Sequence, residues 1–475
     1  MSQSLLPPRP DITYLEHQKD GVSWMLQRED VGAPLCRGGI LADDMGLGKT
    51  FQCIGLLKNS PFKEWRTLIV CPPALIAGWT HELQTCGVPV HTLIAGSPTW
   101  TGGGSVPPGA VGLTTFPKVC QYSRCLAEQK FNRIVLDEGH AIRNKNARHD
   151  ACAAVAADAS SRWILSATPI QNAMKDWRNL LSWLHCPPTD VESDCAQTIM
   201  LRRTMSELRS IITALPPPAK FIDHNLHMSP GPELRLFKAL CDQLDSVMDS
   251  KTVSSFIKLE LYLRIQQFLV HPQIYIDAMR AKFKGAYPRP DWNSTATKWD
   301  ECMSVLNEGV ASSIGQIVFC QFTAQIERVV YAARNMGAHV WTIQGGMCAD
   351  DVADAVTDAR KAAESGLPVV VVVQIISGGA GLNLQFCSRI LFLSSHWNPA
   401  VVHQACGRAV RIGQKKIVEI HFFQIVDDCL DNLDRRMTEI HLTKVSGAKN
   451  ICDTLYEGFH ISEEFPLPAP APAEE

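Results

Sequence analysis

GGILADDMGLGKT, Gly38 to Thr50, decides how this chain is read. An apolar run enters a glycine-rich turn that closes on Lys-Thr, which is how a protein cradles the phosphates of a nucleotide. Gly46 and Gly48 let the backbone come close and aim its N–H groups at phosphate oxygens, Lys49 reaches the β and γ phosphates, and the Thr50 hydroxyl is placed for magnesium. Asp43 stands where the general pattern has its first glycine, so the loop is taken whole: Asp43, Asp44, Met45, Gly46, Leu47, Gly48, Lys49 and Thr50 form the nucleotide-binding segment. A glycine-rich helix start that holds no ligand is the plainer alternative.

A second half-site follows in RIVLDEGH, Arg133 to His140, an apolar strand ending in two carboxylates. Asp137, at the strand's carboxyl end, is expected to hold the magnesium, and Glu138 to orient or deprotonate the attacking water. A solvated turn often carries such a pair, but its joint occurrence with the phosphate loop favours an ATPase. RWILSATPIQN (Arg162 to Asn172) is another strand running into a small polar loop. QACGRAVRIGQ (Gln404 to Gln414) holds Arg408 and Arg411 three positions apart, on one face if the segment is helical.

In order and spacing these stretches resemble the Swi/Snf group of DNA-dependent ATPases within helicase superfamily two. HQKDGVSWML with Gln18 is similar to that family's adenine-reading motif, and LIVCPPALIAGW (Leu68 to Trp79) to its first DNA-contact motif. IMLRRT (Ile199 to Thr204) with ALPPPAK (Ala214 to Lys220) resembles the linker signature between its two lobes. QIVFCQFT, ISGGAGLNL, HWNPAVVHQA and GRAVRIGQ complete the set, so the likeness runs from about Tyr14 to about Lys444. The wording is closest to the transcription-termination and post-replication-repair branches. The zinc-binding RING of the latter is not expected, because residues 172–316 lack its paired Cys and His ligands. Three positions depart from the family: His17 where an aromatic residue precedes the adenine-reading Gln, Val352 where Arg is frequent, and Val410 where His is frequent.

The resemblance implies ATP bound with Mg2+ in a cleft between two lobes, with Gln18 reading adenine. Lys49 and Thr50 would then hold phosphates and metal, Asp137 and Glu138 handle metal and water, and Arg408 and Arg411 neutralise charge from the second lobe. It further implies translocation along duplex DNA, with a DNA-bound protein complex as client, in a nucleus, or in the host nucleus or cytoplasm for a viral source. A strand-separating helicase shares every catalytic residue. A DNA-binding scaffold with little turnover is the other alternative, suggested by Val352 and Val410.

The rest of the chain agrees with an α/β protein of two RecA-like, doubly wound parallel-sheet lobes. Unbroken apolar runs predict buried parallel strands at Thr67 to Cys71, Arg133 to Leu136, Arg162 to Leu165, Gln316 to Phe319, His339 to Ile343, Val369 to Val373, Arg389 to Leu393 and Val418 to Val426. Helical patterns fall at Asp351 to Ala363 and Cys429 to Lys444, and the stretch from Met174 to about Asp300 reads as helical and Leu-rich. The expected organisation is an ATP-binding lobe (1–185), a linker with a helical protrusion (186–295), a C-terminal lobe (296–450) and a tail (451–475) ending in Pro, Ala and Glu. The 17 cysteines form no C-x-x-C and are expected as buried free thiols, with no zinc. No apolar run is long enough for a membrane helix, and no basic-then-apolar leader opens the sequence. The formal charge of −3 says little against nucleic acid, since backbone amides and a local basic track can hold phosphates. Trp397 is read as a packed side chain.

Overall fold

The computed structural model describes residues 5–30, 33, 35–94, 96–170, 174–186, 192–248, 253–375, 382–394, 396 and 398–426. Most of the ISGGAGLNL loop, Trp397, the helix expected from Cys429 and the tail lie outside them. The chain divides into two compact units between Leu215 and Pro216.

The first unit is built on seven strands: β1 (Gly38–Leu41), β2 (Thr67–Cys71), β3 (Val90–Thr92), β4 (Val111–Thr115), β5 (Arg133–Asp137), β6 (Ser161–Leu165) and β7 (Met200–Leu201). They form one all-parallel sheet in the order β3-β4-β2-β5-β6-β1-β7. Its two faces follow from the period-two alternation of strand side chains. Ile40, Leu68, Val70, Ile134, Leu136 and Ile164 share one core with Trp177 and Trp183, while Leu41, Ile69, Val135, Trp163 and Leu165 share the other with Trp79 and Leu83. Both faces are covered by helices, which is why these strands read as continuous apolar runs. The carboxyl ends of β1, β5 and β6, adjacent in the sheet, therefore open on the same edge, where ligands of such sheets bind.

The second unit carries β8 (Lys220–Leu226), β9 (Gln316–Cys320), β10 (His339–Ile343), β11 (Val369–Gln374), β12 (Arg389–Phe392) and β13 (Glu419–Ile425), all parallel, in the order β10-β11-β9-β12-β13-β8. The same alternation sorts Ile317, Phe319, Val371, Ile390 and Phe422 into one core and Val318, Cys320, Val370, Leu391 and Phe423 into another. Three helices, Pro232–Met248, Ser255–Val270 and Pro272–Lys282, pack Phe237, Leu240, Phe268 and Ile276 together with Ile425.

One expectation is corrected, and one condition is not met. Residues 174–300 are not helical throughout: β7 adds to the first sheet, and β8 is the edge strand of the second. The segment 404–414 is not one helix either. The helix Pro399–Cys406 ends there and the chain goes on in turns, in which the carbonyl of Arg408 accepts the Leu384 N–H (3.0 Å) and that of Ala409 the Gln414 side chain (3.5 Å).

Candidate active site

β1 delivers residues 42–48 to the sheet's carboxyl edge, and the helix Lys49–Asn59 starts directly after them. Gly46 and Gly48 lie at φ 84° and 83°, in the left-handed region where a side chain is strained. A Cβ at Gly48 would also stand 2.4 Å from Gln18 Nε2, so the Gln18 side chain would have to move. The loop thus points amides and a helix N-terminus at the space a phosphate would fill.

Lys49, the first residue of that helix, donates from Nζ to the carbonyls of Asp43 (2.6 Å) and Asp44 (3.1 Å). Burial lowers its pKa, against the opposing pull of Glu138, Asp43, Asp137 and Asp44. Asp137, at the end of β5, is buried. Desolvation and then the neighbouring Glu138 push its carboxyl up to about 6, while the Trp79 indole, donating to Oδ2 at 2.7 Å, and Lys49 act the other way. Its Oδ1 accepts the Glu138 N–H at 3.0 Å. Glu138 sits at φ 51°, a strained setting for a non-glycine residue, with Oε2 3.3 Å from His140 Nδ1, which is 3.1 Å from Ser166 Oγ. The DEGH and SAT stretches are thereby joined through His140.

Gln18 is buried, donating from Nε2 to Leu47 O (3.2 Å) and accepting the Leu15 N–H at Oε1 (3.1 Å). His17 makes the same choice: its Nε2 donates to Leu47 O at 2.9 Å. The ring that departs from the family's aromatic residue is thus committed to the phosphate loop's backbone.

The residues missed by sequence reasoning are Arg202 and Arg203, taken only as part of a linker signature. Arg203 forks onto Asp43 (2.9 and 2.5 Å) and reaches the His17 carbonyl and Gln52. Arg202 contacts Asp44 (2.9 Å) and the carbonyls of Ala42 (2.6 Å) and Ala167 (3.0 Å). Two adjacent acids in the loop and two adjacent arginines downstream were the available signal.

In the second unit, Arg408 is buried, and Arg411 is half-buried with Nη1 3.4 Å from the Leu382 carbonyl. Val410 is in the core and Val352 packs against it, so both departures make apolar contacts.

A glycine-rich turn after the first strand of a parallel sheet, with an Asp-Glu pair at a strand end two strands over, is an arrangement suited to nucleotide hydrolysis. The SNF2-related domain family matches residues 17–199, and the helicase conserved C-terminal domain family matches residues 298–413. The chain belongs to the SNF2-type, helicase-like, DNA-dependent ATPases and uses ATP. Similar proteins include a probable global transactivator of Orgyia pseudotsugata multicapsid polyhedrosis virus, 27% identical over 92% of this chain and 91% of that one. Transcription termination factor 2 of Drosophila melanogaster is 24% identical over 96% of this chain and 58% of its own length. A putative ATP-dependent helicase/translocase of Bacillus subtilis is 23% identical over 86% and 46%. Among solved structures, the SWI2/SNF2 ATPase core of Sulfolobus solfataricus in complex with double-stranded DNA is 22% identical, with a TM-score of 0.41, over 94% of this chain and 95% of that one. Among the described residues, no helix is long and apolar enough to cross a membrane.

Proposed function

We propose that this ATPase moves along duplex DNA, with a DNA-bound protein complex as its client, in the compartment that holds that DNA: the nucleus of a eukaryotic cell, or the nucleus or cytoplasm of a virus's host. The observation that carries the chemistry is Lys49 anchored over the loop, with the buried Asp137 acid and Glu138 at the strand end two strands over. Gln18 is assigned to adenine, an exchange of its bond to Leu47 O for one to the base. Residues 43–50 take the phosphates. Arg408 and Arg411 are assigned, by their place in GRAVRIGQ, to neutralise charge on the transferred phosphoryl group.

Magnesium suits the donors present. Thr50 and Asp137 offer hard oxygen ligands, and each Asp137 oxygen has a lone pair left after its single hydrogen bond from Trp79 or Glu138. The raised Asp137 pKa marks a buried carboxylate that a divalent cation would stabilise. When bound, the ion would neutralise charge on the β and γ phosphates. Glu138 is then the residue that holds and deprotonates the attacking water.

Phosphate release measured with and without duplex DNA tests the reading. Stimulation by duplex DNA is expected; slow turnover that DNA does not change would favour the scaffold with little turnover.

A further inference from the structure

The strand that closes the first sheet does more than add an edge. β7 pairs with β1, Ile40 opposite Met200 and Leu41 opposite Leu201, and the pairing continues past its end: Ala42 N–H donates to Leu201 O (2.7 Å) and Asp44 N–H to Arg203 O (2.9 Å). Side chains repeat the connection. Asp43 and Asp44 are almost wholly buried, as is the Arg202 side chain that meets Asp44, while the Arg203 side chain that meets Asp43 keeps 15% of its surface exposed. The second Asp44 oxygen accepts the Met205 N–H at 3.1 Å, at the start of a short helix that Thr204 and Glu207 cap reciprocally. Arg202 also ties the loop to Ala167 of the SAT stretch, and Arg203 ties it to the helix bearing Gln18 through His17 O and to Gln52 of the helix that begins at Lys49. Every element that the nucleotide reading uses in the first unit, except the end of β5, is thus joined to two consecutive arginines.

We propose that Arg202 and Arg203 are positioning residues of the nucleotide site: by engaging Asp44 and Asp43 they preset the phosphate loop, so nucleotide affinity depends on the docking of β7. The proposal rests on the assignment of residues 43–50 to ATP. A buried bidentate arginine–carboxylate pair fixes both orientation and distance, and the loop's amides need such fixing if they are to meet phosphate oxygens without rearrangement. The relation is reciprocal: bound nucleotide must hold β7 and its arginines more firmly in place.

Removing one partner would strand a buried charge and endanger folding, so the deciding variant is neutral on both sides, Asp43→Asn with Arg203→Gln. Its Kd for a fluorescent ATP analogue, KM and kcat for ATP, and melting temperature with and without nucleotide are to be measured beside Arg203→Lys and Lys49→Ala. In a folded double variant, Kd and KM are expected to rise tenfold or more with kcat less affected, and the nucleotide-induced rise in melting temperature to shrink. Arg203→Lys recovers affinity only in part, because a single ammonium cannot make the fork. A folded double variant with unchanged Kd and KM would reduce the pairs to scaffolding and overturn the proposal. Lys49→Ala separates the two failures. If it too binds nucleotide normally, the site assignment falls; if it alone loses binding, only the role of Arg202 and Arg203 does.

Discussion

Asp137 is the residue on which burial and function pull in opposite directions, since a metal-holding acid must be ionised and its surroundings resist ionisation. Its folded pKa of about 6 lies above the ordinary value of 3.8. The protonated form is therefore favoured by folding, a contribution present below about pH 4 and lost as pH rises through 6. Catalysis needs the opposite state, so kcat/KM for ATP should fall on the acid side of about pH 6 in the free enzyme. Trp79→Phe removes the indole bond that favours the ion, and the acid limb should move to higher pH. A limb unmoved by that change would mean another group sets it. In the second unit the two arginines should separate: Arg411→Ala is expected to leave nucleotide affinity nearly intact and slow hydrolysis by about 10³-fold, while Arg408→Ala, emptying a buried position, should also lower the melting temperature. A collapse of affinity with a normal rate per bound ATP in Arg411→Ala would contradict the assignment. At this scale the geometry of the glycine turn that opens a helix at Lys49, and of the Asp-Glu pair at a strand's end, was legible because both are local in sequence. Arg202 and Arg203 were not, because their partners lie some 160 positions away.

Elements were legible in proportion to how thoroughly they are buried. Val369–Gln374 and Thr67–Cys71 are runs of mostly apolar or β-branched residues, nearly all of them buried, and were read with nearly their observed bounds. β8, KFIDHNL, alternates exposed and half-buried side chains at a sheet edge, and nothing apolar about it announces a strand. β1 is half glycine, and β7 is two residues long. The helix Glu16–Arg28, which carries His17 and Gln18, depends on a contact no periodicity shows. Its capping residue Glu29 is fully buried and accepts hydrogen bonds from Nε and Nη2 of Arg133 on β5 (2.6 and 2.5 Å) and from Ser161 Oγ (2.8 Å) and Trp163 Nε1 (3.0 Å) on β6. Burial alone would raise the Glu29 pKa. The Arg133 charge and these donors outweigh it and hold the carboxyl below its ordinary value. That contribution to stability is present above the unfolded value of 4.5 and is lost as pH falls below it. Glu29→Gln leaves Arg133 without a counter-charge and should cost about 3–5 kcal/mol of folding stability. Denaturant titration measures it, and a loss under about 1 kcal/mol, the range of exposed pairs, would show that the cluster is more hydrated than its geometry suggests.

For the whole molecule the question is what hydrolysis drives, and the second unit constrains the answer. Phosphate contacts made by loops imply that stimulation by duplex DNA falls steeply with added salt, and RNA-only stimulation would count against DNA as the track. Strand separation needs a wedge at the fork, commonly a β-hairpin between the glycine-rich loop and the arginine motif. Among the described residues from Asn383 to Gln404, β12 is the sole strand, and the helix Pro399–Cys406 follows closely. β12 is also fully engaged: it pairs with β9 on one side and β13 on the other, and its four residues are buried. It cannot supply half of a protruding hairpin without opening the sheet. Separating stacked pairs costs on the order of 1–2 kcal/mol per step, and these residues offer no apolar projection to apply that energy. With ATP, the protein should therefore release the third strand of a triplex while leaving a forked duplex paired. The two substrates belong in one experiment at equal enzyme and ATP concentrations, and efficient opening of the fork would replace the translocase reading with that of a helicase.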